Sequence, residues 1–199
     1  MSQNDSDNLF HQKQAAALGD EEAFRQIFEY YAQKLTQFSY SITRNKDAAR
    51  EVLDEVFVKV WKNRTKLPEI ENLTTYLYTA VKNSSLNYLS RKANEQKTEP
   101  FDFVSISLST ATTPEESMIS AELFKKINDA VESLPPKCKM IFKLVREDGL
   151  KYKEIGEILN ISVNTVDAQM VIAIRKISEK VKMHFDTFPQ RPMKKYRKN

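Results

Sequence analysis

Four side chains near the start of one segment, Asn164, Thr165, Ala168 and Gln169, are of types that can read the edges of paired bases. Asn and Gln can pair bidentately with adenine, and Ala or a Thr methyl can touch the thymine methyl. At 100° per residue these four share one side of a helix with Ile172, Arg175 and Lys176. The opposite side carries Val163, Val166, Met170, Ala173, Ile174 and Ile177, which reads as the buried side. One segment earlier, Lys139, Lys143 and Arg146 line the side opposite Ile141, Leu144 and Val145. Three cations in a stripe can neutralise phosphates and fix register without reading sequence. A solvated basic face is the plainer alternative.

Two more constellations lie in the first half. Glu51, Asp54 and Glu55 project from one helical side with Val58 among them, opposite Val52, Leu53, Val56, Phe57 and Val60. Carboxylates within one turn repel each other mildly, so a basic partner would relieve a cost; a solvated acidic face would also account for them. Further on, Tyr76, Thr79, Asn83, Asn87 and Ser90 form a polar flank that continues into Arg91 and Lys92. Tyr78, Lys82, Leu86 and Leu89 form a neighbouring strip beside the core positions Leu73, Leu77, Ala80, Val81 and Tyr88. Aromatic, amide and basic groups interleaved on an accessible helix suit unpaired bases, which stack on rings. Taken alone, Tyr and Leu at such positions are more often core.

Other chemistries lack their parts. The three glycines, Gly19, Gly149 and Gly156, are too scattered for a phosphate-cradling loop, which removes dinucleotide-binding and P-loop readings. One cysteine, Cys138, allows no intrachain disulfide and no multi-thiolate zinc site, suits a reducing cytoplasm, and reads as core packing. His11 and His184 lie near opposite ends. No catalytic residues, metal site or cofactor are expected. No apolar run approaches the roughly 20 residues of a membrane span, and the polar start is no signal peptide, so direct membrane insertion is not expected.

The elements that must carry these residues all show the helical period. In the 199-residue chain, Phe24, Ile27, Phe28, Tyr31, Leu35, Phe38 and Ile42 mark a long helix from Asp20, its N-cap, after a short helix ended by Gly19. A second follows from Asp47 to about Lys62, and a third, capped by Asn72, from Leu73 to near Gln96. The pattern lapses over 97–117, rich in Ser and Thr, where the alternation at 104–108 could be a strand but has no partner. Helices resume through Leu134, from Pro136 to about Asp148, over Tyr152–Leu159, and from Val163 to about Phe185. The last two are separated by Asn160-Ile161-Ser162: Asn160 suits a left-handed helix end, Ser162 an N-cap, and Gly156 a close approach, the spacing of a helix-turn-helix. A helical hairpin with its polar face in water is the alternative. Residues 1–119 carry a balance of −3 and residues 120–199 one of +7, which suggests different partners for the two parts.

The fold class is therefore all-α, with two helical domains: 1–96, a linker over 97–117, a helix-turn-helix domain over 118–186, and a basic tail over 187–199. Taken together, ALGDEEAFRQIFEYY, AAREVLDEVFVKVWKN, YLYTAVKNSSLNYL and LPPKCKMIFKLVREDGLKYKEIGEILNISVNTVDAQ, in this order, resemble the extracytoplasmic-function (ECF) group of bacterial RNA polymerase sigma factors. The resemblance implies a non-enzymatic promoter-specificity subunit. Glu51, Asp54, Glu55 and Val58 would dock on the coiled-coil of the largest polymerase subunit. Tyr76, Lys82, Asn83, Asn87, Arg91 and Lys92 would open and hold the −10 element as single strands. Asn164, Thr165, Ala168, Gln169, Arg175 and Lys176 would enter the −35 element, with Lys139, Lys143 and Arg146 on phosphates. It further implies core RNA polymerase, promoter DNA and an anti-sigma factor, possibly membrane-anchored, as partners, in the cytoplasm. Departures from the family pattern at Tyr76, Asn87, Gln169 and Ile172 imply altered base preferences. The rival reading is a stand-alone helix-turn-helix regulator that binds an operator without polymerase.

Overall fold

A computed structural model describes residues 3–95 and 118–185. The linker, the basic tail and the alternation at 104–108 lie outside them. The described residues are helical throughout, without strands: α1 (Gln3–Ala17), α2 (Glu21–Thr43), α3 (Lys46–Lys62), a short 3-10 segment (Arg64–Glu69), α4 (Leu73–Glu95), α5 (Met118–Glu132), α6 (Pro136–Arg146), α7 (Tyr152–Leu159) and α8 (Val163–Phe185). By contacts they fall into two compact units, one drawn from residues 1–103 and 143–166, the other from 104–142 and 167–199.

Local chemistry sets the boundaries. Gly19, at φ 100°, ends α1 in a conformation that L side chains resist. Asp20 then caps α2, its carboxylate accepting from the Ala23 N–H at 3.0 Å. Arg44 closes α2 in the left-handed region, and the Asn45 side chain accepts from the Asp47 and Ala48 N–H groups to start α3. Asn72 caps α4 by accepting from Thr75 N–H at 2.9 Å. The 3-10 segment was not legible as a periodic element; Pro68 sits inside it, where a three-residue turn tolerates the missing donor.

In the first unit α2 packs on α1, α3 and α4, and α4 also packs on α3 and α7. Ile27, Tyr31, Leu35 and Phe38 face Val52, Val56 and Phe57 of α3 and Leu77, Tyr78 and Val81 of α4 within this core, each at most 4% exposed. Each such side chain contributes about 1.5–3 kcal/mol by leaving water. Phe24, Phe28, Phe57 and Trp61 add ring contacts at 4.9–6.0 Å between centroids. Two polar pairs lie in this core: Ser39 and Ser85 share a hydrogen bond of 2.9 Å, and Tyr31 and Thr74 one of 2.8 Å. In the second unit Val131, Leu134, Cys138 and Ala173 form the core, with Ile127, Phe142, Ile172 and Ile177 packed against it.

Candidate nucleic-acid interface

On α3 the five apolar positions are buried, and Glu51 and Asp54 stand exposed on the other side. Val58 is half exposed among them, and Glu55 is partly covered and paired with Lys59 one turn on, at 2.6 Å. The face is more than acidic. Glu21, Phe24, Asp54, Phe57, Val58, Trp61 and Lys62 line an open groove of about 460 Å³, so two carboxylates and one lysine rim an aromatic floor. Trp61 is stacked under the Arg64 guanidinium, 4.5 Å from the ring centroid. The sequence signal for this groove was present in the spacing of Phe57 and Trp61 on α3, but Phe24 read as core and Trp61 was passed over.

Helix α4 exposes Tyr76, Asn83, Asn87, Ser90, Arg91 and Lys92, and half-buries Lys82. Asn87 and Arg91 share a polar recess of about 360 Å³ with Ser84, Ser90 and Glu55. Glu55, grouped by sequence with the acidic docking face, therefore also borders the amide-and-cation face of α4. The strip Tyr78–Lys82–Leu86–Leu89 is not uniformly accessible. Leu86 is exposed, whereas Tyr78 is only 1% exposed, because α4 packs on three helices and the turn before α7.

The α7–α8 corner forms as its residue types demand. Asn160 ends α7 at φ 54°, ψ 52°. Ser162 Oγ accepts from the Thr165 N–H at 3.0 Å and shares a hydrogen bond with the Thr165 hydroxyl, which caps α8. A Cβ at Gly156 would lie 2.9 Å from the Ile161 carbonyl oxygen, so the glycine is required by the turn's own backbone. Ile155 and Val166 are fully buried at the corner. Along α8, Asn164, Ala168, Arg175 and Lys176 are exposed, and Thr165 and Gln169 partly so.

The buried stripe of α8 differs from the expected one. Val166, Met170 and Ala173 are inside, but Val163 and Ile174 are 45% and 54% exposed, and Ile172 packs inward instead. Val166, Met170, Ala173 and Ile177 keep the stripe, while Ile172 on its flank is also drawn against the core of the second unit and Ile174 is left outside. Lys139 requires a second correction. It is 3% exposed and paired with Glu132 at 3.1 Å, so it belongs to the interior rather than to a cationic stripe. Arg146 is exposed and Lys143 partly so. Cys138 is buried, its thiol donating to the Gln169 carbonyl at 3.3 Å; burial pushes its pKa up, away from reactivity.

Residues 27–95 match the family model for Sigma-70 region 2, and residues 124–177 that for Sigma-70 region 4. The chain is similar to the ECF RNA polymerase sigma factor SigW of Bacillus subtilis, 29% identical over 159 residues, covering 76% of this chain and 85% of that one. It is similar to the ECF RNA polymerase sigma-E factor of Haemophilus influenzae at 29% identity, covering 82% and 89%.

The chain belongs to the ECF sigma factors.

The solved structures agree in fold. CnrH, solved in complex with the cytosolic domain of CnrY, superposes with TM-score 0.54 at 17% identity, over 88% of this chain and 98% of that one. RpoE of Bartonella quintana, solved in complex with the anti-sigma factor NepR, gives 0.56 at 18% identity, over 80% and 96%. As an ECF sigma factor this protein is a non-enzymatic initiation factor that directs RNA polymerase to promoters. Within the region 2 match lie the α3 wall of the groove and the polar face of α4; within the region 4 match lies the helix-turn-helix corner. No helix among the described residues is long and apolar enough to cross a membrane.

Proposed function

We propose that the groove on α3 is the anchor for core RNA polymerase, that α4 holds the −10 element as single strands, and that α8 reads the −35 element in the major groove. The α3 groove carries most of the argument. Glu51, Asp54 and Glu55 offer charge to a basic partner, while Phe24, Phe57, Val58 and Trp61 offer the apolar centre that a stable interface needs. On α4, Tyr76 gives a ring for stacking, Asn83 and Asn87 give amides, and Lys82, Arg91 and Lys92 give charge for the backbone. On α8, Asn164, Thr165, Ala168 and Gln169 face outward at the N-terminal end, the end that a recognition helix inserts. Arg175 and Lys176 follow on the same helix, and Arg146 with Lys143 serves phosphates from α6.

The domain division follows the same reading: 1–96 docks and melts, 97–117 tethers, and 118–186 reads. Two relatives of this fold are seen with proteins bound, one of them called an anti-sigma factor. A comparable protein, membrane-anchored or not, is proposed as the regulator here, and the cytoplasm as the compartment.

The test is assembly. Reversing Glu51 and Glu55 together to Lys should weaken binding to core polymerase about tenfold or more, measured by fluorescence anisotropy with labelled sigma. Undiminished assembly would remove the acidic face of α3 from the docking role. Selective transcription by core plus this protein, absent with either alone, separates it from a stand-alone regulator.

A further inference from the structure

Helix α8 turns outward a partly different set of residues from the one its spacing suggests. At 100° per residue, Asn164, Asp167, Ala168, Val171 and Arg175 fall within about 100° of arc, and all five are exposed. Val171, 59% exposed, is the most open of the helix's large apolar side chains. The flank at Thr165, Gln169 and Ile172 is drawn in. Ile172 packs on the core of the second unit, and the Cys138 thiol donates to the Gln169 carbonyl, which sets α6 beside that turn.

Within 163–174 Asp167 is the one charged residue. No cation stands three or four residues to either side, where Val163, Asn164, Met170 and Val171 lie. It is the fifth residue of α8, past the first turn in which the helix dipole favours an acid. Neither local cause accounts for a carboxylate there. On a surface that meets duplex DNA, every phosphate repels it, a cost that falls on all sequences alike. A base edge can offset that cost. A carboxylate only accepts hydrogen bonds, and the major groove offers two amino donors, N6 of adenine and N4 of cytosine. Beside the adenine N6 stands N7, an acceptor that repels a carboxylate, whereas the cytosine edge presents its donor alone.

We propose that Asp167 is a specificity-determining residue for cytosine, its carboxylate accepting from the N4 amino group within the −35 element, while Val171 packs on a thymine methyl close by. The assignment rests on the reading of α8 as the −35 helix and goes further, to the bases that these two residues select. Their spacing sets the register. Four residues of helix rise about 6 Å and successive base pairs about 3.4 Å, so the thymine lies one or two steps from the cytosine. Arg175, the first cation of the helix, follows one turn later on the same arc and serves a phosphate. Its contact with Glu179, at 4.0 Å between exposed groups, is loose enough to give way.

Holoenzyme built from core polymerase and the full-length protein tests this on a promoter library with a randomised −35 element, read by sequencing the bound duplexes. Wild type should enrich cytosine about fivefold or more at one position, and thymine one or two steps away. Both side chains are exposed, so replacing them leaves the fold intact. Asp167→Ala should level the cytosine position and keep the preferences elsewhere. Asp167→Asn should move that preference to adenine, whose N6 and N7 suit an amide. Val171→Ser should lower the thymine preference about threefold. The assignment is overturned if D167A keeps the wild-type profile, or if it tightens binding to every sequence by the same factor, the mark of a charge that only repels. Either result leaves the promoter reading of α8 standing. If the wild-type holoenzyme enriches no base at any −35 position, that reading falls and the assignment with it.

Discussion

Helices α4 and α8 have equal length, 23 residues, and both present Asn side chains to solvent, yet they are held in different ways. Helix α4 is gripped by α2, α3 and α7, and buries Leu73, Leu77, Tyr78, Val81 and Ser85 around much of its girth. Helix α8 buries a narrow stripe, Val166, Met170 and Ala173, and leaves most of its circumference free. The difference matches the proposed substrates. A helix that must stabilise separated strands needs a rigid platform whose exposed face is small and fixed. A helix that enters a groove needs open sides along its length. Rigidity in α4 comes from packing, and in α8 from the corner that leads into it, where Gly156 of α7, Ser162 and Thr165 set the angle of entry.

The sharpest way to break the comparison is at that corner. Gly156→Ala should cost about 2–3 kcal/mol of stability, because the added methyl meets a backbone oxygen rather than a side chain that can move. Thermal unfolding would show it, with −35 recognition lost and α3 docking retained. A methyl tolerated without loss would mean that the corner is looser than its geometry.

The next largest effect separates two lysines that look alike in sequence. Lys139→Met removes the ion pair that the buried Lys139 makes with Glu132 and should destabilise the fold by about 1–3 kcal/mol, with little change in salt-dependent DNA affinity. Arg146→Ala should do the reverse, leaving stability within about 0.5 kcal/mol while lowering affinity evenly across promoter variants. Equal effects on affinity would return Lys139 to the phosphate set.

The smallest effects sharpen the reading of α8. Asn164→Ala should cost about 1–3 kcal/mol at particular −35 base pairs, and Gln169→Ala less, since Gln169 is already partly covered. Uniform weakening over all sequences would show that neither reads bases.

Much of this was legible from spacing. The caps Asp20, Asn72 and Ser162, the left-handed Asn160, and the buried stripes of α2 and α3 follow from local rules that need no knowledge of neighbours. What spacing could not show was how many sides of a helix would be covered. Tyr78 stayed open between an accessible strip and a core because a helical wheel does not report what packs over a side chain. Lys139 read as surface because its type usually is; only the fold supplies Glu132. Ile172 and Ile174 exchanged places because the neighbouring helices, which a helical wheel does not include, decide which flank of α8 is covered. The groove on α3 needed Phe24 from another helix, and so was assembled by packing rather than by sequence.

Trp61 is the chain's one tryptophan, and it lies in the wall of that groove beneath a guanidinium. Its indole emission is therefore a built-in, label-free reporter: any protein that fills the cleft will change its polarity and quenching, so occupancy can be followed by light alone.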